Sequence, residues 1–192
     1  MANALTTPEK DQLLKIARQA ITSVVNGATP DALDLKHFSI TLQENGASFV
    51  TLTKHGALRG CIGTLEAYQP LVMDVQEHAI AAATQDYRFA RVKPEELADL
   101  HIEISRLTPP SKLSYQEPHE LITSLHPGVD GVILSDGSRR ATFLPQVWEK
   151  LPDPEDFLSQ LCLKMGAMPN LWQKRLLEVQ TYQVEEFQEA QA

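Results

Sequence analysis

Apolar residues recur every three or four positions near the start of the chain and predict a helix over residues 8–26. Thr7-Pro8-Glu9 supports this start, because a hydroxyl caps a helix, proline suits its first position and an acid suits its first turn. The same spacing predicts a second helix over residues 70–85, whose alanines allow close approach to a sheet. The inward positions of the two helices include Leu13, Ala17, Ile21, Leu71, Val75 and Ala79.

Alternation of apolar and polar residues predicts the first strands. Residues 38–43 and 48–54 alternate on either side of Glu44-Asn45-Gly46-Ala47, which predicts a hairpin, and residues 58–65 predict a third strand. In the strand predicted over residues 100–107, the polar stripe either faces solvent or lines a cleft. That stripe consists of His101, Glu103 and Ser105, which alternate with Ile102 and Ile104.

The second half of the chain contains the clearest hairpin signal. Asp136-Gly137 lies between two β-rich runs at residues 131–135 and 139–144. The same rules predict helices over residues 118–125, from Pro145 and over residues 154–165, and a last strand over residues 179–187. Since most neighbouring strands are joined as hairpins, the predicted fold class is α+β, with a largely antiparallel sheet flanked by helices.

Composition narrows the protein class. With 192 residues and 43% hydrophobic residues, the chain suits one domain, in one or two lobes, with its own core. The longest apolar run, residues 79–83, is too short to span a membrane. The N-terminus lacks the pattern of a signal peptide, and the only two cysteines are far apart, so we expect a cytoplasmic protein with free Cys61 and Cys162 thiols.

Charge and missing motifs exclude further classes. A net charge of −8 argues against nucleic acid as a partner, and the short basic stretches Ser138-Arg139-Arg140 and Gln173-Lys174-Arg175 are interpreted as solvated surface. Motifs of phosphate-loop, dinucleotide-binding, serine-hydrolase and zinc-protease sites are absent from the sequence, and its histidines lack metal-pair spacing. We therefore predict no metal site, and the sequence leaves the cofactor open.

The stretch Leu58-Arg-Gly-Cys-Ile-Gly63 holds the candidate chemistry. On a strand, Arg59, Cys61 and Gly63 share one face, and the glycines indicate close backbone approach. Arg59 favours a Cys61 thiolate, which would make Cys61 a nucleophile; alternatively, Cys61 packs as a small hydrophobe. An arginine in a core-like run needs a carboxylate or an anion, and Glu103 is the predicted partner.

Charged residues elsewhere extend the candidate site. Asp86-Tyr87-Arg88-Phe89 suits either a loop held by ion pairs or a substrate contact. Gln146 follows a strand and opens a helix, where an anion can bind, and Lys164 lies near a helix C-terminus.

The order of five segments resembles that of the AMMECR-type domain, also called protein A of the AmmeMemoRadiSam system. The segments are Leu58-Arg-Gly-Cys-Ile-Gly63, Asp86-Tyr-Arg-Phe89, Ile102-Glu-Ile-Ser105, Phe143-Leu-Pro-Gln-Val147 and Phe157-Leu-Ser-Gln-Leu-Cys-Leu-Lys164. The similarity covers about residues 49–187, and the sequence departs from the family pattern at Tyr87 and at the Lys-Met-Gly-Ala-Met-Pro segment ending at Pro169. The resemblance implies a two-lobed α+β fold with a cleft between the lobes, and Memo-like and radical-SAM proteins as partners. The motif positions that carry over are Arg59, Gly60, Cys61, Gly63, Asp86, Arg88, Phe89, Glu103, Gln146 and Lys164.

Two functions follow as expectations. The first is an enzyme, or an enzyme subunit, acting on a small polar or anionic substrate, with Cys61 as nucleophile and Glu103 or Asp86 as proton acceptor. Its substrate would be bound by Arg59, Gly60, Gly63, Arg88, Gln146 and Lys164. The alternative is a non-catalytic binding or adaptor module for a Memo-like or radical-SAM partner.

Overall fold

The chain passes from one folded unit to a second and back again in the computed structural model, which describes residues 4–190. The first unit contains the chain up to Leu107 and again from Glu185; the second is Thr108–Val184. Each unit has its own sheet and its own hydrophobic core. The architecture is α+β, as predicted from the interspersed patterns.

Three helices belong to the first unit: α1 (Thr7–Val25), α2 (Ile40–Gln43) and α3 (Leu71–Thr84). Short 3-10 helices span Leu35–His37 and Pro94–Glu96. The cap of α1 is Thr6 rather than Thr7, and its backbone N–H donates to the Glu9 carboxylate at 2.8 Å.

The sheet of the first unit has the strand order β2-β1-β4-β9, with β3 paired to the start of β1. Its strands are β1 (Asn45–Lys54), β2 (Ala57–Gly63), β3 (Gln69–Pro70), β4 (Leu100–Leu107) and β9 (Val184–Gln188). The pairings of β1 with β2, β3 and β4 are antiparallel. The strand predicted over residues 100–107 is confirmed as β4, and β2 forms one edge of this order.

The first predicted hairpin is wrong. Residues 40–43 form α2, capped by Ser39, and β1 instead turns into β2 through His55 and Gly56, which both have positive φ angles. Gly46 is not a turn glycine: it lies inside β1, where a Cβ atom would approach the Leu71 side chain to 2.8 Å. Close packing against α3, rather than a turn, explains this glycine.

The two faces of the first sheet differ in polarity. Val50, Leu52 and Ile102 are fully buried in a core that includes α1 and α3 residues. The opposite face carries Thr51, Cys61 and Glu103, each half-buried. We call this second face the Cys61 face. Glu103 on this face belongs to the polar stripe that the sequence alternation predicts.

The second unit has an antiparallel sheet in the order β5-β8-β6-β7. Its strands are β5 (Ser111–Lys112), β6 (Gly131–Asp136), β7 (Arg139–Phe143) and β8 (Glu178–Tyr182). Its helices are α4 (Glu120–Ser124), α5 (Pro154–Lys164) and α6 (Leu171–Lys174), with a 3-10 helix at Pro145–Glu149 where a helix was predicted. The predicted hairpin is confirmed as β6 and β7, joined through Gly137 and Ser138.

The predicted last strand is in fact two strands in different sheets. Gln183 separates β8 from β9. Its backbone N–H donates to the Thr108 hydroxyl and its carbonyl oxygen accepts from the Thr108 backbone N–H, both at 2.8 Å. Among the helices within residues 4–190, none is long and apolar enough to cross a membrane.

Candidate functional site

Both glycines of the Gly60-Cys61-Ile62-Gly63 segment are required by close packing. A Cβ atom at Gly60 would collide with the backbone carbonyl oxygen of Ala82 in α3. A Cβ atom at Gly63 would collide with the Phe49 ring and with the Ser48 carbonyl oxygen. The two positions therefore bring β2 against α3 on one side and against β1 on the other, as the sequence indicated.

Arg59 lies at an irregularity in the pairing of β2 with β1. Gly60 pairs with Leu52 and Leu58 pairs with Thr53, so Arg59 has no opposite residue, which is the pattern of a β-bulge. Because a bulge re-aims a side chain, it provides the physical reason for the Arg59 contacts described next.

The predicted ion pair between Arg59 and Glu103 is wrong. Arg59 binds Glu96 through Nε at 3.0 Å and an Nη at 2.9 Å, and its other Nη donates to the Ala90 carbonyl oxygen at 2.9 Å. The hydrogen bonds from Arg59 to the Glu96 carboxylate lower the pKa of Glu96 to about 2. An anion at Arg59 would have to displace Glu96, so the geometry gives Arg59 a structural role.

Cys61 has a free, half-buried thiol whose position is fixed from three sides. Its Sγ accepts a hydrogen bond from the Thr51 hydroxyl at 3.3 Å. Its backbone N–H donates to the Asp86 carboxylate at 2.9 Å, and its carbonyl oxygen accepts from Arg88 at 3.1 Å. The thiol is thus held on the edge strand rather than sealed in a core.

Asp86 and Arg88 form a clamp on the edge of β2. The Asp86 carboxylate is buried and accepts from the Arg88 backbone N–H at 3.1 Å, from Nε at 2.9 Å and from Nη2 at 2.7 Å. The side-chain hydrogen bonds from Arg88 hold the pKa of Asp86 far below its usual range. Such a carboxylate is a poor proton acceptor near neutral pH, so the geometry favours the loop held by an ion pair.

Arg88 keeps an exposed side. Its side chain is 43% exposed, and its guanidinium carbon lies 5.5 Å from the centre of the Phe89 ring. The guanidinium carbon of Arg59 lies 6.0 Å from the same ring, so Phe89 contacts both cations. Arg88 is therefore the cation beside Cys61 that can meet an anion from outside.

Glu103 shares the Cys61 face but does not contact Cys61. Thr51 pairs with Cys61 on one side and with Glu103 on the other, which places the two Cα atoms about 10 Å apart across two strand spacings. Within residues 4–190, the Glu103 side chain forms no hydrogen bond or ion pair. Its carboxylate is free to serve a bound molecule, but not to deprotonate Cys61 directly.

Gln146 and Lys164 belong to the second unit. Gln146 is exposed on the 3-10 helix Pro145–Glu149. The Lys164 ammonium donates to the Thr142 carbonyl oxygen at 2.9 Å and lies 5.1 Å from the centre of the Phe143 ring. That these residues join Cys61 in one binding site in a cleft between lobes stays a prediction.

Two contributors were missed from the sequence. Thr51 could have been found, because alternation places it on the face opposite Val50 and Leu52. Glu96 carried no such signal, since it lies in a short 3-10 helix and meets Arg59 only through the fold. Across the described part of the chain, no group of three or more His, Cys, Asp or Glu side chains is placed to hold a metal ion.

Comparison with known proteins places this arrangement in context. The AMMECR1 family model matches residues 14–187. A protein from Methanothermobacter thermautotrophicus is 40% identical over 190 residues, covering 96% of each chain. Protein MK0488 from Methanopyrus kandleri is 36% identical and covers 98% of this chain and 92% of its own length.

A solved structure shows the same fold. The crystal structure of uncharacterized protein PH0010 from Pyrococcus horikoshii matches with a TM-score of 0.75 at 33% identity. The match covers 96% of this chain and 93% of that one. The α+β architecture is therefore shared along nearly the whole length of both chains.

Proposed function

Since the chain belongs to the AMMECR1 family, we propose that it is an enzyme, or the subunit of one, acting on a small anionic substrate at the Cys61 face. The observation that carries this proposal is the positioned, half-buried thiol of Cys61 beside the exposed side of Arg88. The Asp86–Arg88 clamp holds the backbone of Cys61 and the Thr51 hydroxyl contacts its sulfur, so the thiol has a fixed position.

Each side chain has a distinct part in this proposal. Cys61 is positioned as the nucleophile, and the Thr51 hydroxyl fixes its Sγ by donating a hydrogen bond. Arg88 attracts the anionic group of the substrate, and Glu103 accepts a proton from the bound molecule. Asp86 positions Cys61 and Arg88, and Arg59 holds the bulge through Glu96.

A charge-selective labelling experiment tests the proposal. Cys61 is alkylated with iodoacetate, which is anionic, and with iodoacetamide, which is neutral, and the two rates are compared with those of free cysteine. We expect the ratio of the iodoacetate rate to the iodoacetamide rate to be higher at Cys61 than for free cysteine. Arg88→Gln should lower this ratio at Cys61 about threefold or more. Cys162, which is fully buried, serves as the internal control.

Arg91→Gln is the matched control, because Arg91 is an exposed arginine three residues from Arg88. Its ratio should stay near the wild-type value. A ratio at Cys61 equal to that of free cysteine, or Cys61 labelling only after unfolding, would contradict an anion-binding thiol site.

A second candidate is the adaptor module expected from the family resemblance, with a Memo-like or radical-SAM protein as its partner. It is favoured by the structural roles found for Gly60, Gly63 and Arg59, which do not require chemistry. Tyr87, at 95% exposure on the clamp loop, is a natural contact. In an association assay with both partners, Tyr87→Ser should weaken binding while Cys61→Ala leaves binding and function in cells intact.

A further inference from the structure

Two basic stretches that are separate in the sequence meet at one corner of the second unit. Arg139 begins β7 and Arg175 follows α6, and both guanidinium groups form ion pairs with Asp136 at the end of β6. Arg139 also donates to the Gly166 carbonyl oxygen at 3.2 Å, which brings the end of α5 to the same place. From the sequence, both stretches are interpreted as solvated surface.

Two lysines complete this surface. Lys164 is the last residue of α5 and contacts β7, and Lys174 ends α6 beside Arg175. All four cations are exposed. We call this surface the basic corner; it consists of Arg139, Lys164, Lys174, Arg175 and Asp136. Its residues carry four cations and one carboxylate, and the exposed Glu178, which pairs with Ser135 beside Asp136, adds a second carboxylate next to it. The surface is still locally positive, in a chain whose net charge is −8.

Exposed apolar side chains are close in sequence to the residues of the basic corner. Leu163 precedes Lys164, Leu176 follows Arg175, and Met168 is two residues beyond Gly166. These three side chains are about half exposed, at 48%, 54% and 59% in that order. Exposed apolar side chains rimmed by polar and charged groups mark interaction surfaces, and arginine and methionine are enriched at protein interfaces.

We propose that the basic corner docks an acidic segment of a partner protein, with apolar side chains between its carboxylates. A short segment of this kind meets the local positive charge and the three apolar side chains together. A nucleic acid or an anionic bilayer extends beyond the Debye length of about 8 Å and meets the acidic remainder of the chain. The aromatic rings near the corner, Phe143 and Trp172, are half-buried and buried, so they offer no open platform for bases.

Peptide binding measured by fluorescence anisotropy tests this proposal. The probe is a short labelled peptide of Glu and Asp with two leucines; one comparison peptide replaces the leucines with serine, and another replaces the acids with lysine. We expect the acidic leucine peptide to bind most tightly and to weaken as salt rises. The double variant Lys174→Gln/Arg175→Gln should weaken binding about fivefold or more.

Matched variants in the first unit separate the local effect from overall charge. Lys15→Gln/Arg91→Gln removes the same charges from exposed positions outside the corner and should change affinity less than twofold. Leu176→Ser should weaken binding, whereas Leu65→Ser, also at an exposed leucine, should not. Circular dichroism checks that each variant is folded.

Several results would overturn the proposal. Equal binding of the lysine peptide, no binding of the acidic peptide, or equal loss in both double variants would remove the docking surface. Tighter binding of single-stranded RNA or of phosphatidylserine vesicles would assign the surface to a polyanion instead. Self-association that disappears in Lys174→Gln/Arg175→Gln, measured by sedimentation, would assign it to a second copy of the chain.

Discussion

The two cysteines of this chain lie in opposite surroundings. Cys61 is half-buried on an edge strand, with a hydroxyl at its sulfur and a guanidinium on its carbonyl oxygen. Cys162 lies in α5 within the apolar core of the second unit, with no exposed surface, and burial raises the pKa of its thiol. The surroundings rather than the residue type therefore decide which thiol is available for chemistry.

The comparison also shows what the charges near Cys61 do. Most of them hold the backbone of β2. Asp86 accepts from the backbone N–H of Cys61, Arg88 donates to its carbonyl oxygen, and the ion pair of Arg59 with Glu96 supports the bulge. Arg88, with its exposed side, and Glu103 retain capacity for another molecule. A charged cluster beside a thiol can thus be mainly a scaffold that positions one reactive group.

The largest effect is expected at Gly60, which fixes β2 against α3. Gly60→Ala should lower the free energy of unfolding by about 3 kcal/mol or more, because its new Cβ atom meets the backbone of Ala82 and the neighbouring main chain must shift. Urea unfolding measures the change. Gly27→Ala is the control: Gly27 has a φ of 78° and open space around it, so only the backbone cost of about 1 kcal/mol is expected. Equal costs at both positions would show that Gly60 is not packed as described.

A smaller effect separates the two cysteines themselves. Cys162→Ser should cost about 2 kcal/mol, because a hydroxyl replaces a thiol in an apolar core. Cys61→Ser should cost about 0.5 kcal/mol or less, since its half-buried position leaves the hydroxyl with polar neighbours. Denaturant unfolding of both variants checks the difference, and a larger cost at Cys61 would mean that it is the packed cysteine.

The fold could be predicted from the sequence where a local pattern agreed with the final packing. The β4 alternation and the hairpin of β6 and β7 are examples, because period-two burial and a tight turn are local properties. The first hairpin failed because Gly46 serves packing against Leu71 rather than a turn. In the sequence, a glycine required for close packing cannot be distinguished from a glycine required for a turn.

The candidate site was only partly predictable, for a different reason. The faces of Arg59, Cys61 and Gly63 were inferred from alternation, but the contact between Arg59 and Glu96 joins residues 37 positions apart. A β-bulge redirects Arg59, and single-sequence patterns do not reveal a bulge of this kind. The pairing of charged side chains therefore needed the three-dimensional structure.

An effect smaller than that of Cys162→Ser concerns acid stability and belongs to the Cys61 side of the comparison. The pKa values of Glu96 and Asp86 are lower in the folded protein than in the unfolded chain. The unfolded chain therefore binds more protons below about pH 4.5, and the free energy of unfolding decreases as the pH is lowered. The Glu96 contribution, about 1 kcal/mol, is present above pH 4.5 and is lost as pH falls towards 2. Glu96→Gln should flatten the stability profile in this window, measured by urea unfolding at each pH. An unchanged slope would contradict the ion pair with Arg59.

The most direct test of the central claim is the rate of native-state alkylation at each cysteine, followed by mass spectrometry of the peptides containing Cys61 and Cys162. We predict that Cys61 is modified in the folded protein at least about a thousandfold faster than Cys162, whose reaction must wait for unfolding of the core. Equal rates, or modification of both thiols only when the protein unfolds, would contradict the claim that the edge of β2 presents a positioned and accessible thiol.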